Sequence, residues 1–323
     1  MAAPIGPITL GHYKRSHHSI CLCITFDGVT RAASQPGSKT GRSKMTIETR
    51  SIEELKARYE LEPELDDVYV EGFFDKEVLT SHLAGSNSKS RTIYEIETVD
   101  IPNKLLTALG LTTGNKQRVI ALATELEEIA NECAYRCLVD TDLDFWLEEV
   151  RNIKRLNWTT FCTLELHLLT EEVLREILFT ASNAKINDFE AYCKSLCSVL
   201  CDLYALRLSD KQLELNLKWL PYDKYLSIKD GIISFDLTRY ASNTLRTNGH
   251  GKIEKEFMAT STNWMQKFGD DCRHHSRGHD FVHLIAWSVN NFKGIKEFSS
   301  NIAIERLLIL LARNVPGISN DLN

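Results

Sequence analysis

Two short apolar stretches in this chain run straight into acids: Val68-Tyr69-Val70 into Glu71-Gly72, and Tyr135 to Val139 into Asp140-Thr141-Asp142-Leu143-Asp144. Each has the length of a strand, and helical patterns lie between and beyond them. That alternation specifies an α/β fold, a mostly parallel sheet flanked by helices. In such a sheet the residues just past the carboxyl ends of neighbouring strands open onto one crevice. Three uncompensated acids placed there repel one another unless a cation joins them. Mg²⁺ meets that need, because it takes oxygen ligands, keeps several waters and lets carboxylates approach a phosphate they would otherwise repel. Either acid cluster alone also reads as a helix cap. It is their combination that makes Glu71, Asp140 and Asp142 candidate catalytic and metal-binding residues, with Asp75 and Asp144 in supporting or capping roles.

The chain around these clusters divides by texture. Residues 1–44 carry six Lys or Arg against one acid, Asp27, with no sustained hydrophobic period, and read as a poorly ordered extension. Met45 opens the folded part and is itself a candidate natural start. Ser51-Ile52-Glu53-Glu54 fits a capping box before a helix with Leu55, Tyr59 and Leu61 on its apolar side. A helix over 76–83, a strand over 92–99 and a strong helix over 116–132 follow, the last with Val119, Leu122, Ala123 and Leu126 at helical spacing. Residues 45–180 thus form the α/β domain, and 181–323 a mainly helical region. Within that region 189–206 and 301–313 are helices, 231–237 is a strand or hairpin arm, and 243–252, with Asn248, Gly249 and Gly251, is a flexible loop.

Composition narrows the function classes. A net charge of -6 argues against a protein that coats nucleic acid by bulk attraction, yet leaves room for a local basic groove. Seven Lys or Arg between 239 and 283, among them Arg239, Arg246, Lys252, Arg273 and Arg277, could form one. No apolar run approaches the roughly 20 residues of a membrane span, and no cleavage site follows the apolar stretch at 20–26. Nine cysteines, an odd number at irregular spacing, suit reduced thiols rather than a disulfide framework. The expectation is a cytoplasmic protein with no membrane association.

A strand-end Glu followed by Asp-x-Asp after a later strand, here Glu71 with Asp140 and Asp142, resembles the Toprim domain of topoisomerases, primases and OLD-family nucleases. Asn157-Trp158-Thr159-Thr160-Phe161-Cys162-Thr163-Leu164-Glu165 and Gly278-His279-Asp280 resemble the later motifs of Toprim effectors found in anti-phage defence operons. The resemblance covers roughly residues 60 to 290. It implies a Mg²⁺-dependent nuclease cleaving phosphodiester bonds, with Glu165 as a further metal ligand, and a toxic role in abortive infection beside an ABC-type ATPase. Host nucleic acid, RNA or DNA, is the implied substrate, with tRNA among its candidates and a homodimer among the candidate assemblies.

Each remaining signal has a plainer alternative. Lys76, Arg273 and Arg277 are candidate nucleic-acid contacts, though a solvated surface role suits Lys76 as well. Cys193, Cys197 and Cys201 share a helix face and read as core packing rather than metal ligands. His279 and His283 lack the intervening Glu of a zinc helix motif and read as structural. For the whole chain the alternative to a nuclease is a non-catalytic Toprim-like module that binds a nucleotide or partner and transmits a signal. A primase or topoisomerase fits less well, since no zinc ribbon or tyrosine-bearing cleavage domain is evident.

Overall fold

In the computed structural model the described residues are 49–84, 91–129 and 132–322. The basic segment 1–44 and the start proposed at Met45 lie outside them. The first half runs β1 (Arg50–Ser51), α1 (Ile52–Leu61), β2 (Asp67–Val70), α2 (Phe73–Ala84), β3 (Thr92–Glu95), β4 (Val99–Asp100), α3 (Asn103–Ala108), α4 (Asn115–Leu126), β5 (Arg136–Val139) and β6 (Leu156–Trp158). The second half runs α5 (Glu171–Arg175), α6 (Phe189–Gln212), the hairpin β7 (Leu226–Lys229) and β8 (Ile232–Phe235), then α7 (Leu237–Thr247), α8 (Glu254–Met265), α9 (Gly278–Asn291) and α10 (Asn301–Leu311).

Four strands form one parallel sheet in the order β3-β2-β5-β6. The inner strands β2 and β5 pair Val68 with Arg136 and Tyr69 with Cys137. Every residue of β2 is buried, as expected of a strand covered on both faces. Successive side chains point to opposite faces, and they feed two cores. Val68, Val70 and Leu138 join one cluster with residues of α2, α6, α9 and α10, while Tyr69, Cys137 and Val139 join the other with residues of α1 and α4. The helices after residue 181 therefore share a core with the sheet, and all described residues belong to one compact unit, 47–323.

Local chemistry sets the element ends. Ser51 caps α1 with both bonds of the capping box: its hydroxyl accepts from the Glu54 N–H, and the Glu54 carboxylate accepts from the Ser51 N–H. Leu55 and Tyr59 are buried as expected, whereas Leu61, at the last residue of the helix, is 82% exposed. The strand expected over 92–99 breaks after Glu95. Thr98 donates its hydroxyl to the Glu95 carbonyl across a 3-10 turn, and Val99–Asp100 then pairs with β1 instead. The helix expected over 116–132 ends at Leu126. Residues 243–247, expected in a loop, are the last part of α7, because Tyr240, Ala241, Thr244 and Leu245 give it a buried face and Asp236 caps its start. The turn proper begins at Asn248 and Gly249, where a φ of 80° suits glycine. Among the described residues no helix is long and apolar enough to cross a membrane.

Candidate active site

Register alone brings the first two acids together. Glu71 leaves the end of β2, Asp140 leaves the end of β5 beside it, and the Asp140 N–H donates to Glu71 Oε1 at 2.9 Å. Asn115, the first residue of α4, donates its side-chain N–H to the Glu71 carbonyl and fixes the backbone at the strand end. Asp75 lies on the first turn of α2, where its Oδ2 accepts the Gly72 N–H at 3.1 Å, so it does the capping work expected of it.

The following strand brings Glu165 to the same place. Thr159, just past β6, accepts the Thr141 N–H on its hydroxyl at 3.0 Å and donates that hydroxyl to the Phe161 carbonyl at 2.7 Å. The Asp140 carboxylate accepts the Leu164 N–H at 3.0 Å. Glu165 is 7% exposed, and its Oε2 is buried with no hydrogen-bond partner. It is packed against Gly278, where an added Cβ would lie 2.5 Å from both Glu165 Oε2 and Thr163 Oγ1. Only glycine permits that approach of the first turn of α9, whose N-terminal end favours a neighbouring negative charge. His279 is exposed and stands at the edge of contact, its Nδ1 4.0 Å from Glu165 Oε1.

The five acids feel one another. Burial pushes the Glu71 carboxyl up to about 7, against the pull of the Asp140 N–H, with the fields of Asp142 and Glu165 adding to the rise. Burial first, then the fields of the neighbouring carboxylates, raises Asp75 and Asp140 well above the usual range. Asp142 and Asp144 are treated differently. Lys116 of α4 reaches across to them, with Nζ 3.2 Å from Asp142 Oδ2 and 2.6 Å from Asp144 Oδ2. Burial works to lower the Lys116 ammonium, and the two aspartates more than offset it, so it stays charged. Asp142 itself adopts a φ of 45°, held by its own N–H bonded to the Cys162 carbonyl and by the Tyr204 hydroxyl donating to its carbonyl.

A divalent cation can be tested against this donor set. Every group is a carboxylate oxygen, one oxygen of Glu165 is buried without a partner, and the mutual repulsion is uncompensated on the Glu71 side; all three suit Mg²⁺. Among the described residues no three His, Cys, Asp or Glu stand as a ready-made cage.

The other sequence candidates are scattered. Lys76 pairs with Glu95 at 3.1 Å. Arg273 is held in a double contact by Asp271, stacks over Phe161 and gives its carbonyl to the Cys162 N–H. Arg246 pairs with Glu254 at 3.7 Å. Arg277 does reach the site: it lines a cavity of 370 Å³ together with Lys116, Asp142, Asp144 and Arg207. His283 bonds Asp223, a structural role as expected. Cys193, Cys197 and Cys201 pack against the larger core.

Three contributors were not visible as such in the sequence. Lys116 sat inside a recognised helix with nothing to mark its partner. Arg207 lay within a long amphipathic helix. Asp321, near the end of the chain, is 3% exposed and accepts from the Thr160 N–H and from its hydroxyl, and it bonds His167 Nε2 at 2.7 Å. It thereby ties down the segment that carries Glu165. No family model matches the chain, and no curated protein matches it either.

Proposed function

We propose that this chain is a magnesium-dependent nuclease that cleaves nucleic acid phosphodiester bonds in the cytoplasm. One observation carries the reading: Glu71, Asp75, Asp140, Asp142 and Glu165 converge at one carboxyl edge of a parallel sheet, with Lys116 ion-paired to Asp142 and to its neighbour Asp144. Glu71, Asp140, Asp142 and Glu165 would hold the metal. Bound there, Mg²⁺ supplies polarisation of the phosphate and charge stabilisation of the leaving oxygen. Glu71 would serve either as a ligand to that ion or as the base that accepts the proton of the attacking water. The Asp140 N–H bonds its carboxylate, and Asp75 fixes the next residue by accepting the Gly72 N–H.

The resemblance to defence-associated Toprim effectors extends the proposal. The motifs resemble those of AriB, the Toprim effector of the PARIS system, which works beside the ABC-type ATPase AriA. On that basis the chain is a toxic effector of abortive infection, held in check by such an ATPase until phage is sensed, with tRNA among its candidate targets. A second reading, a non-catalytic nucleotide- or partner-binding module, draws on Lys116, whose ammonium already pairs with two of the acids. Incubating the purified protein with RNA and DNA in Mg²⁺ and in EDTA separates the two. The nuclease reading expects cleavage in Mg²⁺ alone; intact RNA and DNA in both leaves the binding module. Co-expression with an ABC-type ATPase of that kind is expected to relieve toxicity, and equal toxicity with and without it would remove the partner from the proposal.

A further inference from the structure

The cavity beside Asp142 and Asp144 holds two arginines that the carboxylates do not use. Arg207 comes from α6 and Arg277 from the residue capping α9. The Arg207 guanidinium lies 4.2 Å over the ring of Trp219, and its Nε is buried with no hydrogen-bond partner. Neither arginine is in an ion pair among the described residues. Burial lowers Arg207, Asp280 partly offsets this, and the like charge of Arg277 adds to the lowering; both arginines line the one cavity.

The acids that line the same cavity are mostly taken. Asp142 and Asp144 hold Lys116, and the Asp210 carboxylate accepts the Leu217 N–H and the Trp219 Nε1–H. A half-buried, unpaired cation is costly unless a ligand supplies its counter-charge. A guanidinium stacked on an aromatic ring is fixed in plane and presents its N–H fork edge-on, the geometry that matches phosphate.

We propose that Arg207 and Arg277, with Lys211 at the rim, form a phosphate-binding subsite that holds a second phosphate of the substrate beside the one cleaved at Glu71 and Asp140. The name of the ligand rests on the nuclease reading; the subsite itself does not. A lone carboxylate ligand would satisfy the fork but leave the acid cluster next door with nothing to hold. A polyanion whose phosphates repeat along a chain serves both.

The test is equilibrium binding rather than cleavage. A short fluorescein-labelled oligonucleotide is titrated in EDTA at several salt concentrations against the wild-type chain, Arg277→Gln, Arg207→Gln and Arg207→Lys, with melting curves run on each. The expected result is about a tenfold weaker affinity for Arg277→Gln and a salt slope smaller by about one phosphate contact. Arg207→Lys is expected to recover part of the loss seen in Arg207→Gln, since it restores charge without the fork. Unchanged affinity and slope in well-folded Arg277→Gln and Arg207→Gln overturn the subsite, as does a wild-type chain that binds no oligonucleotide and no nucleoside triphosphate. Binding that depends on both arginines for a nucleoside triphosphate but not for the oligonucleotide keeps the subsite and overturns the nuclease reading.

Discussion

The two halves of the acid cluster differ in how their charge is met. At Glu71, Asp75 and Asp140 the carboxylates are answered by backbone N–H groups, and one oxygen of the neighbouring Glu165 by nothing at all. At Asp142 and Asp144 a single ammonium, Lys116, is shared by the two and offsets part of their charge. The first half is built at a cost in stability that the fold bears because other parts of it are tightly packed. The second half is an ion-paired arrangement in which Lys116 links the proposed ligand Asp142 to Asp144. Carboxylates held together without an ion pair favour a cation in their place, whereas those already sharing an ammonium need it less.

The largest effect that sharpens this contrast is a pH effect. The folded state binds protons at Glu71, Asp75 and Asp140 more tightly than the unfolded chain does, so stability falls as pH rises through the interval between the two states' pKa values. For Glu71 that interval runs from its ordinary 4.5 to about 7. Melting temperature in metal-free buffer is therefore expected to drop across this range, and the Glu71→Gln variant to drop less. A flat wild-type profile would remove the uncompensated half of the comparison.

Next in size is Gly278→Ala. The new Cβ would meet Glu165 and Thr163 at 2.5 Å, and overpacking of that kind costs about 1–3 kcal/mol. Chemical denaturation should show the loss, and an Ala variant as stable as the wild type would mean that Glu165 is free to move away. Lys116→Met strips the counter-charge from the other half. Its stability cost is expected to be about 2 kcal/mol, below the range for a fully buried pair because Asp142 is 38% exposed. Chemical denaturation should show this loss too, and a Met variant as stable as the wild type would mean that the ion pairs contribute nothing net. The smallest effect lies far from both halves, at Ser51→Ala, where losing the cap of α1 costs about 1 kcal/mol and leaves the site untouched.

Much of this was legible because it is local. β2 and β5 could be read from short buried runs, and parallel pairing then put Glu71 and Asp140 side by side. Ser51 announced its helix by a capping box four residues long. What escaped was set by tertiary contact. Nothing near Lys116 in the chain names Asp144 as its partner, 28 positions on, and nothing near Thr160 names Asp321, 161 positions on. The break after Glu95 comes from the 3-10 turn over Ile96–Thr98 and the pairing of Val99–Asp100 with β1, a partner 49 positions back that no alternation pattern declares. At 243–247 the glycines of the following turn outweighed the helical spacing of Tyr240, Thr244 and Leu245, although the spacing decided the structure.

The uncompensated half of the cluster is tested most directly by its rate of cleavage as Mg²⁺ is titrated, compared between the wild-type chain and Glu71→Gln. The substitution keeps the shape of the side chain and removes its charge. Cleavage by the wild type should rise with Mg²⁺, and the variant should fold normally yet turn over at least about a hundredfold more slowly at saturating metal. Equal turnover by Glu71→Gln across the titration would contradict the assignment of this carboxylate edge as the catalytic site.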